Sequence, residues 1–228
     1  MKTQTKRNFI ITGVLFLLFI TFTLATKIVD VQAIGPQNSV VGFATLNAYV
    51  FELFGANLLW YHITDWLGVV AILIAFIFAT FGLVQWITRK KLRKVDFRIL
   101  LLGAYYLIVI AFYLFFEYHI VNYRPILLGE HLEASYPSSH TMIVLCIMGT
   151  AMMLFKQYFK DKKSIATLLS IFSWCIITIT VIGRLISGVH WFTDIIGGAL
   201  LSIALIWLYH SFVEWIGSKE KSKRKPRL

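Results

Sequence analysis

The sequence predicts an all-α protein: an integral membrane bundle of six transmembrane helices, with N- and C-termini cytoplasmic and short interfacial helices between the first two spans. Composition is the first reason. Hydrophobic residues make up 58% of the 228 residues and the mean hydropathy is +0.75, values that soluble domains of this size rarely reach. The second is six apolar runs, at roughly 9–26, 67–88, 98–118, 140–156, 165–186 and 192–213. A helix rising about 1.5 Å per residue needs about 20 such residues to cross a hydrocarbon core of about 30 Å. The third is charge placement. Threading the six spans from a cytoplasmic N-terminus puts 19 of the 22 basic residues on one side and leaves Lys27, Arg124 and Arg184 on the other. The positive-inside rule then assigns both termini to the cytoplasm. The same placement accounts for the net charge of +11 as topology signals lying against anionic headgroups, and gives no reason to invoke nucleic acid.

Each element follows in order. The run in MKTQTKRNFIITGVLFLLFITFTLAT is long for a cleavable signal peptide, and removing it would leave an odd number of spans, so residues 1–26 read as the first transmembrane helix with a basic cytoplasmic end. Residues 27–66 form the longest extracytoplasmic segment. Its apolar stretch VVGFATLNAYVFELFGANLLWYHITDW is broken by glycine, asparagine and acids, and reads as short interfacial helices anchored by Trp60, Tyr61 and Trp66. Residues 67–213 hold the remaining five spans, joined on the cytoplasmic side by tight loops at 89–98 and 156–164. The basic tail 214–228, ending GSKEKSKRKPRL, is expected to be disordered in water from residue 217 onward. Cys146 and Cys175 both fall within spans and read as small core residues. No internal repeat of a solenoid or transporter is evident.

Three polar clusters lie at outer span ends: Arg124 in NYRP; Ser138, Ser139 and His140 in PSSH; and Arg184, His190 and Asp194 in GRLISGVHWFTD. An arginine at the bilayer boundary opposite the basic side is costly, so it is either functional or balanced, with Glu117, Glu130 and Glu133 as available partners for a salt bridge. Ser138 or Ser139 suits the N-cap of the fourth span, whose free N–H groups and positive dipole form an anion site. His190 and Asp194 are four residues apart and share a helix face. A carboxylate bonded to one imidazole nitrogen leaves the other free as a nucleophile. The alternative is a metal pair: zinc would need a third ligand, which His131 or Glu133 could supply. Two nearby arginines favour an anion over a dication, and phosphate suits their forked geometry.

These residues resemble the type 2 phosphatidic acid phosphatase (PAP2) superfamily, which includes membrane lipid-phosphate phosphatases and the soluble vanadium haloperoxidases. The family pattern K-x6-R-P, P-S-G-H and S-R-x5-H-x3-D corresponds to EYHIVNYRP (117–125), PSSH (137–140) and GRLISGVHWFTD (183–194). The resemblance covers about residues 60–212 and makes 67–213 a PAP2-like catalytic core. It implies that His190 forms a phosphohistidine, that Asp194 orients it, and that His140 protonates the leaving oxygen and later activates water. Arg124, Arg184, Ser138 and the backbone around Ser139 would hold the phosphoryl oxygens, with no metal and no cofactor. Three positions depart from the pattern. Glu117 stands where the family has lysine and either turns away or meets Arg124; Ser139 replaces glycine; Gly183 replaces serine. The substrate implied is a lipid phosphate in the outer leaflet, undecaprenyl pyrophosphate first, with phosphatidylglycerophosphate or phosphatidic acid next. A non-catalytic lipid-phosphate binder or transporter is the alternative that Glu117 raises, and a zinc-dependent intramembrane hydrolase is another.

Overall fold

A computed structural model describes residues 2–224, all in helices and connecting loops, with no strand among the described residues. The helices are α1 (Lys2–Ile28), α2 (Ala44–Phe54), α3 (Leu58–Arg89), α4 (Phe97–Tyr118), α5 (Ser139–Tyr158), α6 (Lys163–Ile186) and α7 (Phe192–Arg224). All but α2 are long and apolar enough to cross a membrane. Large apolar side chains such as Leu17, Leu73, Ile77, Leu107 and Leu168 are more than half exposed, a distribution that would aggregate in water but matches acyl chains.

α5 is the central helix. It packs against α3, α4, α6 and α7, and Met142, Val144, Cys146, Met148, Ala151 and Leu154 along it are buried. Protein shields α5 from lipid on most sides, so it tolerates the lowest hydropathy of the six, with two threonines and a histidine. α1 lies along α7, joined by a Thr12 Oγ1–Ser211 Oγ hydrogen bond of 3.1 Å and an edge-to-face Phe9–Phe212 contact at 5.3 Å. In hydrocarbon such paired hydroxyls help specify helix register.

Three expectations change. α3 begins at Leu58, so Trp60, Tyr61 and Trp66 belong to the second span rather than to an interfacial segment reaching residue 66. The Asn57 side chain caps that start, accepting hydrogen bonds from the Leu59 and Trp60 N–H groups. The short helices expected between the first two spans are α2 and a 3₁₀ turn at Pro36–Asn38. The tail is helical through Arg224: at about 50 Å, α7 outruns the hydrocarbon core, and Lys219 Nζ sits 3.6 Å from the Trp215 ring centre. Residues 225–228 lie outside the described residues. Cys175 faces outward instead of joining Cys146 in the core.

Close backbone approaches gather the helix ends at one side of the bundle. Gly197 and Gly198 on α7 face Tyr136 and Ser138; an added Cβ would lie 2.5 Å from the Tyr136 ring or 2.9 Å from the Ser138 carbonyl oxygen. Tyr136 also meets Thr23 of α1 through a 2.7 Å hydroxyl contact. On the opposite flank, the α6–α7 loop touches the α2–α3 loop, where the Asn57 N–H donates to Ser187 O at 3.0 Å. Gly188, at φ +64°, has Gly55 O against it: a Cβ would fall 2.2 Å from that oxygen. Gly188→Ala should therefore destabilise the protein by roughly 2–4 kcal/mol through left-handed strain and displaced backbone. A thermal unfolding midpoint in detergent equal to that of the wild type would contradict this contact.

Candidate active site

The three motif clusters meet at one end of the bundle, where α4 and α6 finish and α5 and α7 begin. Ser138 is the N-cap of α5: its Oγ accepts from the Thr141 N–H at 3.4 Å, and its own N–H donates to the Asp194 carbonyl at 2.9 Å. That bond ties the start of α5 to the start of α7. Ser139 is thus the first helical residue rather than the cap. It lines a narrow crevice with Tyr113, Phe116, Glu117, Met142 and His190.

Arg124 sits on the loop between α4 and α5, which folds back on itself through Arg124 N–H to Glu133 O (3.1 Å) and Ser135 N–H to Asn122 O (2.9 Å). The Arg124 Nε donates to Glu133 Oε2 at 2.9 Å, so of the three acids available Glu133 is its ion-pair partner. Its Nη1 donates to the Val189 carbonyl at 3.3 Å and lies 3.5 Å from His190 Nε2. Glu117 instead faces the crevice, with His190 among its other walls.

His190 is almost wholly buried, 4% exposed. Its Nδ1 lies 3.1 Å from the Ser135 carbonyl oxygen and 3.8 Å from Asp194 Oδ2. A carbonyl only accepts, so Nδ1 carries the proton and Nε2 presents its lone pair beside Arg124. The ring is therefore oriented first by a backbone carbonyl, with Asp194 close by rather than hydrogen-bonded. Asp194 accepts from Asn122 Nδ2 at 3.0 Å and from the Trp191 N–H at 2.9 Å. Burial holds His190 well below the usual imidazole range. The charges of Arg124 and Arg184 push the same way, against the Ser135 hydrogen bond, so the ring is neutral at neutral pH.

Arg184 is fully buried on α6. Its Nη2 donates to Asp65 Oδ1 of α3 in a very short contact, and its guanidinium carbon lies 4.9 Å from the Tyr61 ring centre. Nε and Nη1 are buried without a protein partner, as befits donors for an arriving anion. Asp65 Oδ1 also lies 3.0 Å from His140 Nε2, while His140 Nδ1 is buried and unpartnered. Gly183 explains one departure from the motif pattern: a Cβ there would lie 2.5 Å from Thr64 Cγ2 and 3.0 Å from the Trp60 ring. The slot that a serine hydroxyl would take is filled by α3. His131 is exposed and joins none of this, and among the described residues no three His, Cys, Asp or Glu side chains gather as metal ligands.

Asp65, Asn122 and the Ser135 carbonyl are additions to the residues singled out by sequence. So is Asn47 of α2, which donates to Thr193 Oγ1 at 2.9 Å and accepts from the Thr193 N–H at 3.1 Å, clamping the first turn of α7. A buried histidine, a half-buried one, two guanidiniums and a helix N-terminus converge here. Such a set can deliver a nitrogen nucleophile, hold a tetrahedral anion and exchange a proton.

The family model of the PAP2 superfamily matches residues 105–218, half of the chain and all three motif segments. No curated protein matches the chain. In fold, it is similar to the crystal structure of the first transmembrane PAP2 type phosphatidylglycerolphosphate phosphatase from Bacillus subtilis. That similarity has a TM-score of 0.61 at 19% identity, covering 90% of this chain and 96% of that one. Motifs, helix order and family match agree, and the chain belongs to the PAP2 superfamily.

Proposed function

We propose that this protein is a metal-independent lipid phosphatase that works through a phosphohistidine at the extracytoplasmic face of the membrane. The observation that carries the reading is the buried Arg184, with Nε and Nη1 unpaired and Asp65 shared with His140. In this reading His190 Nε2 attacks phosphorus, the P–O bond to the leaving group breaks, and His140 gives the leaving oxygen a proton. Water then attacks phosphorus as the P–N bond to His190 breaks, His140 takes its proton, and phosphate departs. Arg124, Arg184, Ser138 and the N–H groups around Ser139 offset the charge on the phosphoryl oxygens, while Asp194 stabilises the charged His190.

The membrane face follows from charge. The site lies at the end of the bundle opposite the basic loops and termini, which the positive-inside rule assigns to the cytoplasm. A lipid substrate is favoured by a groove of about 220 Å³ between α3 and α5, where Asp65 and His140 meet Gly68, Val69, Ile72 and Ile143. Undecaprenyl pyrophosphate is the first candidate. Phosphatidylglycerophosphate is the second, favoured by the activity named for the Bacillus subtilis relative in fold, and phosphatidic acid the third.

Purified protein should release phosphate from at least one of these three lipids in EDTA, and His190→Ala should lower the rate by at least about 10³-fold. Full activity in that variant would remove the mechanism; binding without turnover in every lipid and detergent would favour a lipid-phosphate binder, and loss of activity to chelator a zinc hydrolase. Glu117 places negative charge on the crevice wall beside Ser139. Glu117→Gln should lower KM for an anionic lipid about two- to five-fold with kcat little changed, the size expected for one partly screened charge. Finally, a histidine kept neutral by the fold binds fewer protons folded than unfolded below pH 6.5. Stability should then be full above that pH and fall on acidification, by up to about 1.4 kcal/mol per pH unit until the folded ring titrates. Unfolding midpoints between pH 7.5 and 5.5 should show this slope in the wild type, and a weaker one in His190→Gln.

A further inference from the structure

Asp65 lies outside the three motifs, on the second turn of α3, yet it touches two of the site's charged groups at once. We propose that Asp65 is the positioning carboxylate of His140, fixing the ring so that Nδ1 alone gives and takes the leaving-group proton. The inference rests on the phosphatase reading above and assigns the atom and the residue that make its proton transfer work.

An ionised carboxylate only accepts, so with Asp65 Oδ1 3.0 Å from Nε2 the favoured neutral tautomer of His140 carries its hydrogen on Nε2. Nδ1 is buried with no protein partner, which leaves it for a group that arrives with the substrate. Packing holds the ring there: Gly68, one turn beyond Asp65, lies under it, and a Cβ on Gly68 would come within 3.2 Å of His140 Cδ2. The balance of the step is simple. The His140 cation donates the Nδ1 proton to the leaving oxygen and remains as the neutral Nε2–H tautomer; Nδ1 then accepts a proton from the attacking water. Asp65 stays beside Nε2 throughout and transfers nothing.

The two histidines are thus held in opposite senses. His190 has Nδ1 tied to Ser135 O and offers Nε2; His140 has Nε2 tied to Asp65 and offers Nδ1. The charged and titratable groups facing His140 are Asp65 from α3, Arg184 from α6, and His190 and Arg124 from the loops. Asp65 is the one carboxylate among them, so it supports the cationic, acid-competent ring where the others oppose it. A purely structural role remains distinguishable, because Asp65 also pairs with Arg184. A counter-ion to Arg184 affects phosphoryl binding whatever the leaving group is. A carboxylate that readies an acid matters in proportion to the need for that acid.

The test compares full-length Asp65→Asn with wild type on an alkyl lipid phosphate and on nitrophenyl phosphate, whose phenolate leaves without protonation. The expected result is a fall in kcat of about 10²-fold on the alkyl ester, under about 10-fold on the aryl ester, and a basic limb of the alkyl pH–rate profile displaced to lower pH. Equal losses on both substrates with an unmoved profile would overturn the proposal. Should Asp65→Asn fail to fold, the wild type itself gives the answer. ¹⁵N spectra of the imidazole rings, with His140 identified by its loss in His140→Gln, should show neutral His140 protonated at Nε2, and an Nδ1–H tautomer would overturn the assignment. Wild-type protein inert on every phosphate would instead remove the phosphatase reading, while the ring spectrum still decides whether Asp65 holds Nε2.

Discussion

A guanidinium with no solvent exposure at the end of a membrane helix is the constraint around which this site is arranged. Burying an isolated cation costs on the order of several kcal/mol even after relaxation, so Arg184 needs a compensating carboxylate within contact. Asp65 supplies it from α3, and the Tyr61 ring covers the guanidinium. Both require α3 to lie tightly against α6, which Gly183 permits and any larger residue would resist, since Thr64 and Trp60 already occupy the space over it. What looks in the sequence like a lost hydroxyl donor is, in the fold, the clearance that lets the arginine be neutralised. The compensation is partial by construction: one nitrogen is satisfied and two are left, which keeps the site short of negative charge until an anion enters.

The second requirement is that four chain segments far apart in sequence hold their positions at one spot, and the first turn of α7 is where they are fastened. Asp194 takes hydrogen bonds from Asn122 and from its own turn, and its carbonyl receives the N–H that starts α5. Asn47 grips Thr193 through both of its amide groups. Gly197 and Gly198 let the Tyr136–Ser138 segment press against the same helix. These paired bonds are buried, where polar groups help specify one arrangement, although Asn122 Oδ1 is left without a protein partner. The interfacial helix α2 therefore belongs to the scaffold of the site, through Asn47 and through Phe51 lying against Trp191.

The six spans were legible because hydrocarbon thickness imposes a length and a composition that few other structures share, and the charge count adds direction. The boundary at Leu58 was less so: Trp60, Tyr61 and Trp66 look like interface anchors by residue type, and that one helix runs through them from Leu58 only emerges on folding. His140, His190, Arg124 and Arg184 stood out since ionisable residues at span ends need a reason. Asp65 did not, as a single acid among aromatics whose arginine partner lies 119 residues away. Asn47 and Asn122 carry no spacing signal at all, and the carbonyl that orients His190 is backbone, for which side-chain identity says nothing. The expected Asp194–His190 bond illustrates the limit of spacing: four residues apart ensures proximity, yet because α7 begins at Phe192, His190 lies just outside the helix and turns its Nδ1 toward Ser135 instead.

In the proposed mechanism two imidazoles serve opposite ends of one displacement and must differ, although the side chains are the same. A nucleophile needs an available lone pair, and His190 has it where burial and two guanidiniums disfavour the cation while a neutral carbonyl holds the far nitrogen. A proton donor needs the cation to be accessible, and His140 has a carboxylate on its far nitrogen and sits about a third exposed. In the proposed mechanism the same arginines act in two ways: they attract the phosphoryl group and they keep the attacking histidine neutral. They also oppose the cationic acid, and the carboxylate that favours it is the one that balances Arg184. One acid on α3 thus answers two demands created by a single buried charge, which is why an aspartate outside the motifs can matter to chemistry performed by residues within them.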